Sequence, residues 1–120
     1  MAKRRHPRRA PAPAVTAPRL RRMLKLLRLL ARQPTTRRSL LRQLGVDQRT
    51  FYRDLEVLRK LHVALVQEGS HYRLATDLSK TLQLLPLPDP KLTLAEAQVL
   101  ARGRTAAHRK LARFLRDILG

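Results

Sequence analysis

Between Asp47 and Asp54 the chain reads DQRTFYRD, and Gln48, Arg49, Thr50 and Arg53 within it are side chains of the types that read base edges. Arginine presents a planar fork that pairs with guanine O6 and N7, glutamine matches adenine, and threonine offers a methyl to thymine or a hydroxyl to phosphate. Tyr52, in the same run, can bond a phosphate oxygen or pack on a sugar. Further groups suited to phosphate flank the run: Thr36, Arg37 and Arg38 before it, Lys60 at its end, and Ser70, His71 and Arg73 beyond. The first four residues are expected at bases, and Tyr52 with the flanking set at the nucleic-acid backbone. A solvated basic helix face is the competing reading. The register of the turn and caps around the run favours DNA contact over it.

That register belongs to Thr36–Lys60, which reads as two short helices joined by a tight turn at Gly45-Val46-Asp47. Thr36 is placed to cap the first helix, and Leu40, Leu41 and Leu44 supply its inward face. Gly45 stops it, since glycine tolerates the left-handed conformation such a turn needs, and Val46 plugs the angle. Asp47 then caps the second helix, which turns Phe51, Leu55, Leu58 and Leu61 inward. This is how a helix-turn-helix looks in sequence, with the helix after Asp47 as its major-groove element. Two carboxylates on that helix require partners: Glu56 is spaced to meet Lys60 at i, i+4, and Asp54 is expected to hold an arginine of the preceding helix.

The preceding helix begins at Arg19, where Leu20, Met23, Leu24, Leu27, Leu30 and Ala31 recur at three- and four-residue steps, with Arg21, Arg22, Lys25, Arg28 and Arg32 on the other side. Ahead of it, residues 1–18 interleave basic residues with prolines and read as a disordered basic arm, either tracking phosphate or the minor groove or serving only as a solubilising tail. After His62, VALVQEGSHYRL alternates around Gly69-Ser70 as a β-hairpin, with Val63, Leu65, Tyr72 and Leu74 inward and a type II′ turn expected. Residues 19–76 thus form one domain, and 77–92, with Pro86, Pro88 and Pro90, a stiff connector. In 93–120, Thr93 with Glu96 opens one helix as a capping box, and Thr105 starts a last helix striped by Ala107, Leu111, Phe114, Leu115 and Ile118. Two short helices bury little alone. They pack back in cis or form a homodimer through 93–119.

A formal net charge of +19, with only eight acidic residues among 120, demands a polyanionic partner, nucleic acid before membrane surface. The chain has no cysteine, which excludes disulfides and thiolate chemistry. Its histidines, His6, His62, His71 and His108, share no ligand spacing, so no metal and no cofactor is expected. No phosphate loop, catalytic triad or carboxylate pair is present, and a non-enzyme is expected. The most apolar stretch, Leu20–Leu30, is broken by charges and too short to span a bilayer. A cytoplasmic, nucleoid-associated protein is expected, a mitochondrial transit peptide being the alternative on composition.

LGVDQRTFYRDLEVLRKL and EGSHYRL resemble the winged helix-turn-helix module of bacterial DeoR-like regulators, in particular those that continue into a WYL domain, across roughly residues 20–75. The resemblance implies DNA contact by Arg49, Thr50, Tyr52 and Arg53, a structural role for Asp54, and a wing in the hairpin. LPLPDPKLTLAEAQVLA is similar to that family's connector and following helix. The chain then departs from the pattern, ending at Gly120 ahead of any WYL domain, so either a stand-alone relative or a piece of a longer protein is expected. The fold class expected is mostly α with a small β-hairpin: a winged helix-turn-helix, a Pro-rich connector and two C-terminal helices. The function expected is that of a transcriptional regulator binding double-stranded DNA in a sequence-specific way. The alternatives are a nonspecific DNA or RNA binder and a winged-helix protein-interaction module.

Overall fold

The computed structural model of the protein describes residues 14–120, so the expected basic arm lies outside the described residues up to residue 13. The chain divides into two compact units, one ending at Pro88 and the other running from Asp89 to Gly120. The first unit opens with α1 (Ala17–Arg32), ahead of the expected Arg19. Thr16 caps it, its hydroxyl accepting from the Arg19 N–H at 3.3 Å, and Pro18 sits in the first turn, where no helical donor is needed. Val15, before the cap, is buried with the core.

α1 buries Met23, Leu26, Leu27 and Leu30. Three of the expected inward residues miss this set: Leu20 and Leu24 are half-buried and Ala31 is exposed, whereas Leu26, outside the expected set, is sealed. Leucines occupy more of α1 than its neighbours cover, so packing against the rest of the unit, and not composition, centres the buried arc. After Pro34 comes a strand too short to read from sequence, β1 (Thr35–Thr36), and then α2 (Arg37–Leu44). Thr36 caps α2 by accepting from the Ser39 N–H at 3.2 Å. Gly45 closes it at φ +67°, its N–H returning to the Leu41 carbonyl at 2.9 Å.

Asp47 caps α3 (Gln48–Lys60), its carboxylate accepting from the Thr50 N–H at 2.7 Å. Phe51, Asp54, Leu55 and Leu58 are buried along one side. Truncating Phe51 or Leu55 to alanine at such sealed positions costs about 3–5 kcal/mol. α3 ends in a Schellman motif, with Val63 N–H bonded to Leu58 O at 3.0 Å and His62 N–H to Arg59 O at 2.9 Å. His62 takes the left-handed position at φ +68°, a place where glycine is usual.

The hairpin forms as expected from β2 (Leu65–Glu68) and β3 (His71–Leu74), with Glu68 opposite His71 and Gly69-Ser70 as the turn. Gly69 has φ +64° and Ser70 does not enter the left-handed region, the pattern of a type II′ turn. β1 joins it antiparallel through Thr35–Tyr72 and Thr36–His71, making a three-stranded sheet in the order β1-β3-β2. Tyr72 on the central strand is buried, edge-on to Phe51 with ring centroids 5.5 Å apart. The segment read as a connector begins with a short helix, α4 (Leu78–Leu82), capped by Asp77; Thr81 is sealed and Leu78 and Leu85 pack on the core.

The second unit consists of α5 (Leu94–Leu100) and α6 (Ala106–Leu119). Thr93 and Glu96 form the expected capping box, and Thr105 with His108 forms another. Leu115 is the buried residue of α6, while Phe114 and Ile118 of the expected stripe remain more than half exposed. The protein is thus mostly helical with a small antiparallel sheet, and its architecture matches a winged helix-turn-helix followed by two C-terminal helices.

Candidate nucleic-acid interface

The buried side of α3 dictates what the opposite side carries. At 100° per residue, Arg49, Arg53, Glu56 and Lys60 fall directly across from Phe51, Asp54, Leu55 and Leu58, and all of them are exposed. Gln48 and Thr50 lie on the two flanks, the first exposed and the second half-buried. The outward stripe runs from the capped end to Lys60, along a helix of about 18 Å. Asp47 is held below the usual carboxylate range, first by the Thr50 N–H and further by Arg49 and Arg53 nearby. The cap thus stays ionised near the two arginines.

Part of the phosphate-suited set converges at the start of α2, whereas Lys60, His71 and Arg73 do not line the cleft there. Thr36, Arg37, Arg38 and Ser70 line a cleft of about 390 Å³ together with Gln67 and Tyr72, between the first turn of α2 and the wing. Arg37 Nη1 donates to the Tyr52 hydroxyl oxygen at 2.7 Å, which brings Tyr52 of α3 to the same place. That guanidinium lowers the Tyr52 hydroxyl below its ordinary pKa, whereas burial raises Tyr72. Two tyrosines beside one arginine therefore differ in acidity because one is hydrogen-bonded to the guanidinium and the other is buried. His71 stays exposed at the wing, and its Nδ1 lies 3.4 Å from the Ser70 hydroxyl.

Two expected pairings resolve differently. Asp54 holds two arginines of α1: Arg22 Nε and Nη2 donate to it at 2.5 and 2.8 Å, and Arg19 Nε lies at 3.2 Å. Asp54 is 3% exposed, so this fork ties α1 to α3 from inside and takes its carboxylate off the outward face, where Glu56 is the acid that α3 keeps. Glu56 and Lys60 form no ion pair among the described residues. Both are exposed, where such a pair gains little over water. Arg73 is only half-buried but is engaged, its Nε donating to Glu68 at 2.9 Å diagonally across the hairpin.

Sequence reasoning passed over Gln67, whose place in the cleft depends on β2 lying beside β3, and Arg59, which is exposed and close enough to influence Tyr72. Arg59 was legible in principle, since it stands seven residues after Tyr52 and so on the same flank of α3. No long-range pattern announced Gln67. Among the described residues no cluster of potential metal ligands occurs, and no helix is long and apolar enough to cross a membrane.

The assembled surface is basic and exposed, of a kind that contacts nucleic acid or another protein. No family model, curated protein or solved structure matches the chain.

Proposed function

We propose that this protein is a sequence-specific, double-stranded DNA-binding transcriptional regulator acting at the nucleoid, non-enzymatic, and of the DeoR-like, WYL-associated type that its sequence resembles. The observation that carries the reading is the outward stripe of α3, with Arg49 and Arg53 beside a capped amino end, flanked by the arginine cleft at the start of α2. In such an arrangement Gln48, Arg49, Thr50 and Arg53 meet base edges in the major groove. Thr36, Arg37, Arg38, Tyr52, Lys60, Ser70, His71 and Arg73 contact the backbone and fix the register. The exposed Phe114 and Ile118 support homodimer formation through 93–119, which would pair two half-sites. A single monomeric species in sedimentation, both free and on DNA, removes that part of the reading.

Selection of bound duplexes from a random pool, at moderate salt, tests the main claim. The wild-type chain is expected to enrich a motif that Arg49→Ala with Arg53→Ala loses. Enrichment no better than background refutes sequence-specific binding. One observation favours the second reading, a nonspecific nucleic-acid binder: most of the +19 charge lies outside α3. Comparable affinity for any duplex, unaffected by the double substitution, would be its signature.

A further inference from the structure

The outward side of α1 carries a continuous stripe of positive charge with no ion pair among the described residues. Arg21, Lys25, Arg28 and Arg32 follow at four-, three- and four-residue steps, directly opposite the arc formed by Met23, Leu26, Leu27 and Leu30. All four are exposed, and among the described residues none is ion-paired. The helix contains no acidic residue, so nothing along its own surface offsets them. Like charges at these spacings destabilise a helix, and an ordinary solvated face mixes both signs to avoid that. Where the fold does need an arginine of α1, it provides Asp54 for Arg19 and Arg22. The outward four have no such provision. They suit a ligand from outside that carries repeated negative charge over the stripe's length of about 16 Å.

The place of the stripe narrows what that ligand is. α1 and α3 contribute their buried arcs to one core, and each stripe stands opposite its own arc. The stripes of Arg21–Arg32 and of Arg49–Lys60 therefore point away from that core in different directions. Stripes that diverge in this way suit two separate duplexes better than one straight duplex along both. Duplex DNA presents one charge per about 1.7 Å of axis, so a segment as long as the stripe supplies more phosphates than the four cations need.

We infer that the outward face of α1 is a second duplex-binding surface, with which the protein holds one DNA segment without regard to sequence while α3 engages another. The inference rests on the proposed role of α3 for the first segment. Its consequence is DNA bridging by a single chain.

The test uses the full chain, a bead-tethered duplex and a second, fluorescent duplex of unrelated sequence, with co-capture measured across a salt series. The wild type is expected to capture the second duplex. Replacing Arg21, Lys25, Arg28 and Arg32 together by glutamine, which keeps helix propensity, is expected to lower co-capture about tenfold or more. Release of four phosphate contacts flattens the salt slope of co-capture by about 3–4, while binding of the tethered duplex changes little. If circular dichroism shows the fourfold variant unfolded, the pairs Arg21→Gln with Lys25→Gln and Arg28→Gln with Arg32→Gln replace it, each expected to produce about half the slope change. Undiminished capture by a folded variant overturns the inference. So does equal loss of tethered and captured duplex, which would put α1 and α3 on one segment. A wild type that selects a motif but never bridges overturns this inference alone. One that bridges through α1 yet selects no motif supports it and removes sequence-specific binding by α3 instead.

Discussion

Replacing Asp54 by asparagine tests the α1–α3 junction at its centre. Asparagine keeps the volume but removes the charge, and its amide presents donors to guanidinium groups that can only donate. The carboxylate accepts from Arg22 at 2.5 and 2.8 Å with Arg19 at 3.2 Å, and its side chain is 4% exposed. Charge-assisted bonds of this type contribute about 1.5–3 kcal/mol each, and breaking a fully buried pair costs about 3–5 kcal/mol. The arginine side chains, however, are 27% and 31% exposed and regain water when released. That discount leaves an expected loss of roughly 2–3 kcal/mol. With a urea slope of about 1 kcal/mol/M for a unit this small, the midpoint falls by about 2–3 M. Far-UV circular dichroism in urea measures it, with Glu56→Gln as the control. Glu56 changes the formal charge equally but is exposed and unpaired, so its substitution is expected to stay within about 0.5 kcal/mol. A double-mutant cycle with Arg22→Met should return a coupling of at least about 1 kcal/mol. If Asp54→Asn is no more destabilising than Glu56→Gln, the fork does not hold the two helices together.

Four further outcomes follow from backbone and proton positions. Gly45→Ala places a Cβ in open space but at φ +67°, so it should cost about 1 kcal/mol through conformation alone, while His62→Gly should stabilise by roughly 0.5–1 kcal/mol by relieving the left-handed histidine; urea midpoints report both. Asp47 has a folded pKa below its unfolded value, so its contribution is present above the unfolded value and is lost as pH falls through the folded one. Asp47→Asn keeps a capping oxygen but removes the titration, and should flatten the acid limb of midpoint against pH; an unchanged limb would mean that the titration of this cap does not set it. Absorbance titration of the two tyrosines should show Tyr52 ionising before Tyr72, and Arg37→Met should narrow the interval; an unchanged interval would mean the Arg37 bond does not persist in solution.

The legible parts of this protein were local. Thr36, Asp47, Thr93 and Thr105 cap helices because the groups they satisfy lie within three residues, and Gly45 and Gly69 take left-handed angles that their own turns require. The spacing of Phe51, Leu55 and Leu58 likewise sets Arg49, Arg53 and Lys60 on the outward side without reference to any other element. Other features needed the fold. β1 is two residues long and exists because β3 offers it an edge, and α4 is held by a core that α1 and the sheet have already built. Residues far apart in the chain choose Leu26 over Leu24 for burial, bring Gln67 and Tyr52 to Arg37, and give Asp54 two arginines in place of one.

Sequence alone therefore determined the helices other than α4, most of their ends and which residues α3 turns outward, since these depend on hydrogen bonds and periodicities spanning a few residues. Tertiary structure decided which cations remain free. Arg19, Arg22 and Arg73 are engaged by carboxylates, Arg37 by a phenol, and Arg21, Lys25, Arg28 and Arg32 by none among the described residues. Whether a charge meets a partner inside the protein or must find one outside depends on distance in space, which a sequence of like residues does not encode.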